Sequence, residues 1–353
     1  MLHKKDLAIA LSRLSFLNCG QKLDLFNNLD NLSMLAVLSI EDLRKKSGKN
    51  LDKDSWNPDL LLKRVERDLV LMKQYQVDIV TFQDLDFPSL LKEVAQPPFA
   101  LYSRGDISCL QAPCIGVVGT RHPDTEGLKA AFNFSKELAE KGVTVVSGLA
   151  LGIDSAAHKG ALAAGFSESG FNAVVDSFSS DVFTNQVFDE KTENAKIGTT
   201  AAFLGSGVDV LYPAGNKALA GRILRSGGCI LSEYPLETPA LAYHFPERNR
   251  LISGVSSGVM VIEALEKSGS LITVDFALEQ NRDVFVHPVA LDYEKLFARE
   301  SKISSLEFKT NKGSKNKIVR RIDDYVADGA VVTDSVDFVL ESGKYIYQNE
   351  FSS

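Results

Sequence analysis

Cysteine, tryptophan and long apolar runs are scarce in this chain. Its 353 residues include 4 cysteines and 1 tryptophan. Cys19, Cys109, Cys114 and Cys229 form no Cys-x-x-Cys pair, and the 5 histidines stand apart. Disulfide frameworks, zinc ribbons and His-Glu-x-x-His metalloenzymes are unsupported, and no metal is expected. No stretch approaches the ~18 apolar residues that cross a bilayer. Met1-Leu2-His3-Lys4-Lys5-Asp6 lacks the apolar core of a signal peptide. The expectation is a cytoplasmic protein without a membrane partner. What is present is ordinary globular composition, 44% hydrophobic and 24% charged, with material for about two domains. A formal net charge of −7 argues at first against a polyanionic partner. The charge is uneven, however. Residues 166–195 carry six acids and one base, a net of −5, which leaves −2 for the rest; residues 301–321 carry seven bases and one acid. A local pocket can hold phosphates in a chain that is acidic overall.

Residues 1–75 read as a small helical domain. Leu7, Leu11 and Leu14 fall at helical spacing, then Leu23, Leu25, Phe26 and Leu29. Ser39 followed by Asp42 resembles a capping box. Trp56 to Tyr75 is an amphipathic run in which Leu60, Leu61, Val65, Leu69 and Met72 share a face. Residues 76–110 read as a connector that packs on the core, with a short strand at Val77–Phe82 and turns at Asp86-Phe87-Pro88 and Gln96-Pro97-Pro98. Residues 111–345 alternate strand and helix. The strands are Ile115–Val118, Val143–Ser147, Ala201–Leu204, Cys229–Ser232, Val259–Glu263 and Val284–His287. The helices are Glu126–Lys141, Ser155–Ala164, Lys217–Arg225 and Ser270–Gln280. This alternation predicts a doubly wound α/β domain with a mostly parallel sheet. Insertions interrupt it at about 166–195 and 290–325.

Ligands of such sheets bind where strands run into helices, and the glycines of this chain cluster there. Gly116-Val117-Val118-Gly119-Thr120-Arg121 ends one strand; backbone N–H groups can approach an anion at such a turn, and Arg121 adds a planar fork suited to phosphate. It is neither a full Gly-x-Gly-x-x-Gly fingerprint nor a Walker loop. Ser147-Gly148-Leu149-Ala150-Leu151-Gly152-Ile153-Asp154 ends the next strand. Asp154 is placed to cap a helix and shares a helix face with His158. Ser147, Asp154 and His158 admit a nucleophile–base–acid reading; they also admit a helix cap, a phosphate-cradling loop and a buried hydrogen-bonding histidine. Gly205-Ser206-Gly207 follows a third strand, and Asn216-Lys217 opens the helix after it. Lys217 is either a phosphate contact or a solvated surface lysine. In Phe245-Pro246-Glu247-Arg248-Asn249-Arg250 one arginine is expected to pair with a carboxylate such as Glu263 and the other to face an anion. Ser268-Gly269-Ser270 offers another helix start after Glu263.

Taken in order, these blocks resemble the DNA-processing protein A family (DprA, also called Smf). The blocks are Gly119-Thr120-Arg121, Ser147-Gly148-x-Ala150-x-Gly152-x-Asp154-x-x-Ala157-His158, Gly207-x-Asp209-x-x-Tyr212-Pro213, Ser232-Glu233-Tyr234-Pro235, Phe245-Pro246-x-Arg248-Asn249-Arg250-x-Ile252 and Ser268-Gly269-Ser270-Leu271-Ile272-Thr273. The resemblance covers about residues 75–290 and, in weaker form, the helical N-terminus. It implies an extended Rossmann-like domain behind a sterile-alpha-motif-like or helix-hairpin-helix-like domain. It also implies binding of single-stranded DNA, loading of RecA during natural transformation, and a homodimer, with no catalytic residue and no cofactor. Carried over by position, Gly119, Arg121, Ser147, Gly148, Gly152, Lys217, Arg248, Asn249 and Arg250 would contact DNA phosphate, and Asp154, His158, Glu263, Ser268, Gly269 and Ser270 would shape the pocket. The family usually lacks the 30 or so residues of the acidic segment, and the chain is too short for the winged-helix-like domain that some members carry. The alternative is an enzyme acting on a nucleotide or phosphorylated small molecule, with Asp154 or Glu263 as its poised carboxylate.

Overall fold

The computed structural model describes residues 2–164, 199–264, 268–292 and 320–348. The acidic segment 166–195, and the basic segment 301–321 apart from Arg320 and Arg321, lie outside the described residues.

Five helices open the chain: α1 (Leu2–Ser12), α2 (Cys19–Asn28), α3 (Leu32–Ala36), α4 (Ile40–Ser47) and α5 (Pro58–Tyr75). Four of them start at a side-chain cap. Asn18, Asn31, Ser39 and Asn57 accept the backbone N–H of Gln21, Met34, Asp42 and Leu60, which satisfies a donor that the first helical turn leaves without a partner. Asp42 returns the favour by accepting from Ser39 N at 3.0 Å, so the expected capping box is present. Along α5 the buried line is Leu61, Val65, Asp68 and Met72, at helical spacing, while Leu60 is 45% exposed. The expected face is thus found apart from Leu60, with Leu69 half-buried against the same cluster. The same face also buries a polar group: the Asp68 carboxylate meets Arg13, just past α1, with Arg13 Nε donating to Oδ2 at 2.5 Å. In α1 the run Leu7-Ala8-Ile9-Ala10-Leu11 is buried throughout, which requires cover on every side.

The chain continues through β1 (Val77–Thr81), α6 (Ser89–Lys92), β2 (Ala100–Gly105), β3 (Cys114–Gly119), α7 (Thr125–Glu140), β4 (Thr144–Ser147), α8 (Ile153–Leu162), β5 (Thr200–Phe203), α9 (Lys217–Arg225), β6 (Cys229–Ser232), α10 (His244–Val255), β7 (Gly258–Glu263), α11 (Gly269–Glu279), β8 (Asp283–Val286), α12 (Ile322–Ala327), β9 (Val331–Val332) and α13 (Val336–Gln348). The strands form one sheet in the order β1-β2-β6-β5-β4-β3-β7-β8-β9. From β6 to β9 neighbouring strands are parallel; β2 runs antiparallel to β1 and β6. The doubly wound, mostly parallel sheet is thus confirmed, and all six expected strands are found. β2 went unread because Ala100, Leu101, Tyr102 and Ser103 are all buried, so it shows no alternation, and prolines precede it. The stretch read as a connector therefore supplies a two-stranded antiparallel edge.

Both faces of the sheet are covered. On one, α7, α8 and α13 pack over Val117, Val145 and Met260. The same face carries, over Tyr102, Ala202 and Ile230, the apolar side chains of α1, α2, α5 and α9 in a single cluster. The other face holds α6, α10, α11 and α12 against Val118, Phe203, Val259 and Val261. Strand order reverses at β3, between β4 and β7, which is where such sheets open a crevice at the carboxyl ends.

Candidate nucleic-acid interface

The crevice is built from three strand ends. β3 stops at Gly119, where its pairing with β7 shifts register. A Cβ there would lie 2.6 Å from Ile153 Cγ1 and 2.7 Å from Glu263 O, so only glycine lets the two strand ends and α8 meet. Thr120 N donates to Glu263 O at 2.6 Å, and Ile153 N to Thr120 O at 3.2 Å. The turn therefore locks β3, β7 and the first turn of α8 together, and presents Arg121 to solvent. Its guanidinium carbon lies 5.6 Å from the centre of the Phe245 ring, a cation–π distance.

The loop after β4 is pinned from within. Asp154 Oδ2 accepts from Gly148 N at 3.1 Å and Ala150 N at 3.3 Å. Asn216 Nδ2 donates to Leu149 O at 2.8 Å and Ser155 Oγ at 2.9 Å. These ties hold Leu149 at φ +56 and Gly152 at φ +79, the latter at the cap of α8. Asp154 is thus not the helix cap read from the sequence; it sits in the first turn and folds its carboxylate back onto the loop. Burial raises its pKa, while Arg248 and the loop N–H groups pull the other way. In the sequence Asn216 shows only as a helix opener. Its role as a clamp has no local signal, because its partners lie more than sixty residues away in sequence.

The remaining expected residues divide between support and surface. Ser147 is buried, its hydroxyl donating to Val117 O at 2.7 Å. Arg248 is buried as well: Nη1 donates to Phe203 O, and the guanidinium lies against Gly148, where a Cβ would come within 2.1 Å of it. Burial lowers the Arg248 pKa to about 10, against the attraction of Asp154. Arg250 is paired with Glu233. The expected partner Glu263 instead accepts Asp124 N at 3.3 Å and abuts Gly127 in the first turn of α7. Helix α7 takes this carboxylate because its N-terminal N–H groups and dipole favour a negative charge there. Asn249 ties α10 to α11 by donating to Gly269 O at 3.0 Å. Ser268 caps α11, accepting from Ser270 N. Lys217 is exposed at the start of α9.

His158 and Ser147 form no nucleophile–base pair. Thr200 Oγ1 gives its proton to Val145 O, so the 2.7 Å contact at His158 Nδ1 is an N–H donated to that oxygen. Burial pushes the imidazole pKa down to about 3, and the ring is neutral. Both carboxylates named for an enzymatic reading, Asp154 and Glu263, accept backbone N–H groups. Sequence reading missed the aromatic side of the crevice. Tyr212, 50% exposed, lies 5.5 Å from Phe245 ring to ring. Their signal was position: Tyr212 follows the glycines after β5, and Phe245 opens the helix that carries Arg248 and Arg250. Among the described residues, no helix is long and apolar enough to cross a membrane.

Comparison with known proteins agrees with this architecture. The family described as DNA recombination-mediator protein A matches residues 78–175 and 189–309. Protein Smf of Escherichia coli is 35% identical over 226 residues, covering 64% of this chain and 52% of that protein. DNA processing protein DprA of Streptococcus pneumoniae is 37% identical over 237 residues, covering 66% of this chain and 71% of that one. The X-ray structure of the S. pneumoniae protein superposes with a TM-score of 0.62 at 29% identity, over 95% of each chain. The chain spans about half the length of the E. coli relative. The glycine and arginine blocks at the strand ends, the fold that gathers them and the extent of these matches lead to one assignment: the chain belongs to the DNA recombination-mediator protein A family.

Proposed function

We propose that the carboxyl edge of the sheet binds the backbone of single-stranded DNA, and that the protein is a recombination mediator that protects incoming strands and delivers them to RecA during natural transformation. The observation that carries this reading is Arg121. It is exposed at the point where strand order reverses, held by a turn locked to β7 and α8, with its charge over Phe245. A guanidinium suits phosphate, and exposed aromatic rings beside it suit unstacked bases. Gly148, Gly152, Asn216 and Arg248 serve by fixing the loop, and Lys217 extends the basic surface. Binding, rather than a reaction, is the activity proposed. A homodimer fits the same reading: β9 closes the sheet with Val331 and Val332 each 39% exposed, an edge of the kind that a second copy covers.

Fluorescence anisotropy with a labelled oligonucleotide at several salt concentrations tests the proposal. The wild type is expected to prefer single strands to duplex, with log affinity falling against log salt by ~0.7 per phosphate neutralised. Arg121→Ala is expected to weaken binding about tenfold across sequences and to shallow that slope by ~0.7. Equal affinity for duplex, together with a silent Arg121→Ala, sinks it.

A further inference from the structure

At the opposite edge of the sheet two thiols are in contact. Cys109 lies in the short 3-10 turn Ile107–Gln111 after β2, and Cys229 is the first residue of β6. Their sulfurs are 3.3 Å apart. Both backbones are fixed: Asp106 N donates to Gly228 O at 3.2 Å, Gly105 pairs with Cys229 across the β2–β6 ladder, and Thr144 Oγ1 donates to Cys109 O at 2.7 Å. Cys229 is buried, whereas Cys109 is half-buried. A disulfide needs roughly 2.05 Å between sulfurs, so closure asks for an approach of roughly 1.3 Å. The third cysteine of this region, Cys114, is buried and turns its sulfur toward Ala112 O at 3.3 Å.

We propose that Cys109 and Cys229 form a modification site: a dithiol that hydroperoxides oxidise to an intramolecular disulfide. The chemistry divides by exposure. The Cys109 thiolate attacks one peroxide oxygen, the O–O bond breaks and hydroxide leaves, giving the sulfenic acid. The Cys229 thiol then attacks that sulfur. An S–S bond forms, the S–O bond breaks, and the thiol proton leaves with the hydroxyl as water. Overall two thiols lose two electrons and two protons, and one peroxide becomes two waters. Cys229 is not the first attacker, because burial, followed by the neighbouring Cys109, Cys114 and Asp106, holds its thiol protonated. The bond would fasten the turn after β2 to the start of β6, on the side of the sheet away from Arg121.

The experiment treats the full-length chain with stoichiometric hydrogen peroxide, alkylates it under denaturing conditions and maps the peptides without reduction. The expected result is parallel loss of alkylation at Cys109 and Cys229 with retention at Cys19 and Cys114. A linked Cys109–Cys229 peptide lighter by two hydrogens should appear and be reversed by dithiothreitol. In Cys109→Ser, and separately in Cys229→Ala, no linked peptide should form. In Cys109→Ser, Cys229 should remain fully alkylated. The proposal is overturned if Cys109 gains two or three oxygens while Cys229 stays alkylated, if Cys109 links to Cys114, or if all four thiols survive excess peroxide. DNA binding by the oxidised protein should be unchanged, which separates this site from the proposed interface.

Discussion

Gly152→Ala is expected to lower the free energy of unfolding by about 3 kcal/mol and to weaken single-stranded DNA binding by an order of magnitude or more. Two effects add. Gly152 stands at φ +79, a conformation that side-chain-bearing residues adopt at a cost of about 1–3 kcal/mol. A Cβ there would also lie 2.4 Å from Thr120 O and 2.8 Å from the carbonyl carbon of Arg121. Both atoms are backbone, and Thr120 is tied at each end to Ile153 and Glu263, so neither can step aside cheaply. Relief must come from displacing the turn that carries Arg121, which couples the stability loss to the affinity loss. Gly215→Ala is the control: nothing lies within 4 Å of a Cβ at Gly215, and the change should stay within about 0.5 kcal/mol. Urea denaturation and anisotropy titration measure the two effects. Wild-type behaviour of Gly152→Ala in both would show that the crevice is not built on this turn.

A second large effect is an acid-side loss of stability through His158. Its pKa is about 3 in the fold and about 6.5 in the unfolded chain. Between these values the unfolded state binds a proton that the native state refuses. The His158 contribution is therefore flat above pH 6.5 and falls below it by about 1.4 kcal/mol per pH unit, or about 2 kcal/mol at pH 5. Asp154 and Asp68, both raised by burial, contribute with the opposite sign, and His287 is lowered as His158 is. The contribution of His158 is consequently read as a difference. His158→Asn keeps an N–H donor for Thr200 and removes the titration. The stability gap between wild type and variant should narrow by about 2 kcal/mol from pH 7 to pH 5. A constant gap would mean that the imidazole takes up a proton inside the fold.

Much of this was legible from the residues. Strands such as Cys229–Ser232 and Gly258–Glu263 announced themselves because a strand covered on both faces must be apolar along its length. Glycines at the ends of β3 and β4 marked the crevice, since only they permit the approaches found at Gly119, Gly148 and Gly152. Local chemistry also sufficed for Ser39 with Asp42. What failed was anything that depends on distant partners. Which carboxylate meets which arginine is decided by packing, and the choice fell on Glu233 for Arg250 and on Arg13 for Asp68. Glu263 went to a helix terminus instead. The clamp made by Asn216 and the ring pair of Tyr212 and Phe245 exist only once α9 and α10 are laid beside the loop after β4. The β2 strand hid behind prolines and lacked the alternation that half-exposed strands show.

The apolar cluster that joins α1, α2 and α5 to Tyr102, Ala202 and Ile230 has a consequence for where this protein ends as a physical object. The family model's match begins at residue 78, and a fragment cut there would keep every residue of the crevice. It would also strip α1, α2 and α5 from over Tyr102, Ala202 and Ile230, and with them the Ser12 contact to the Tyr102 hydroxyl, the Arg13 contact to Leu236 O and a run of buried leucines. The opening helices act as the inner wall of the sheet that carries the crevice.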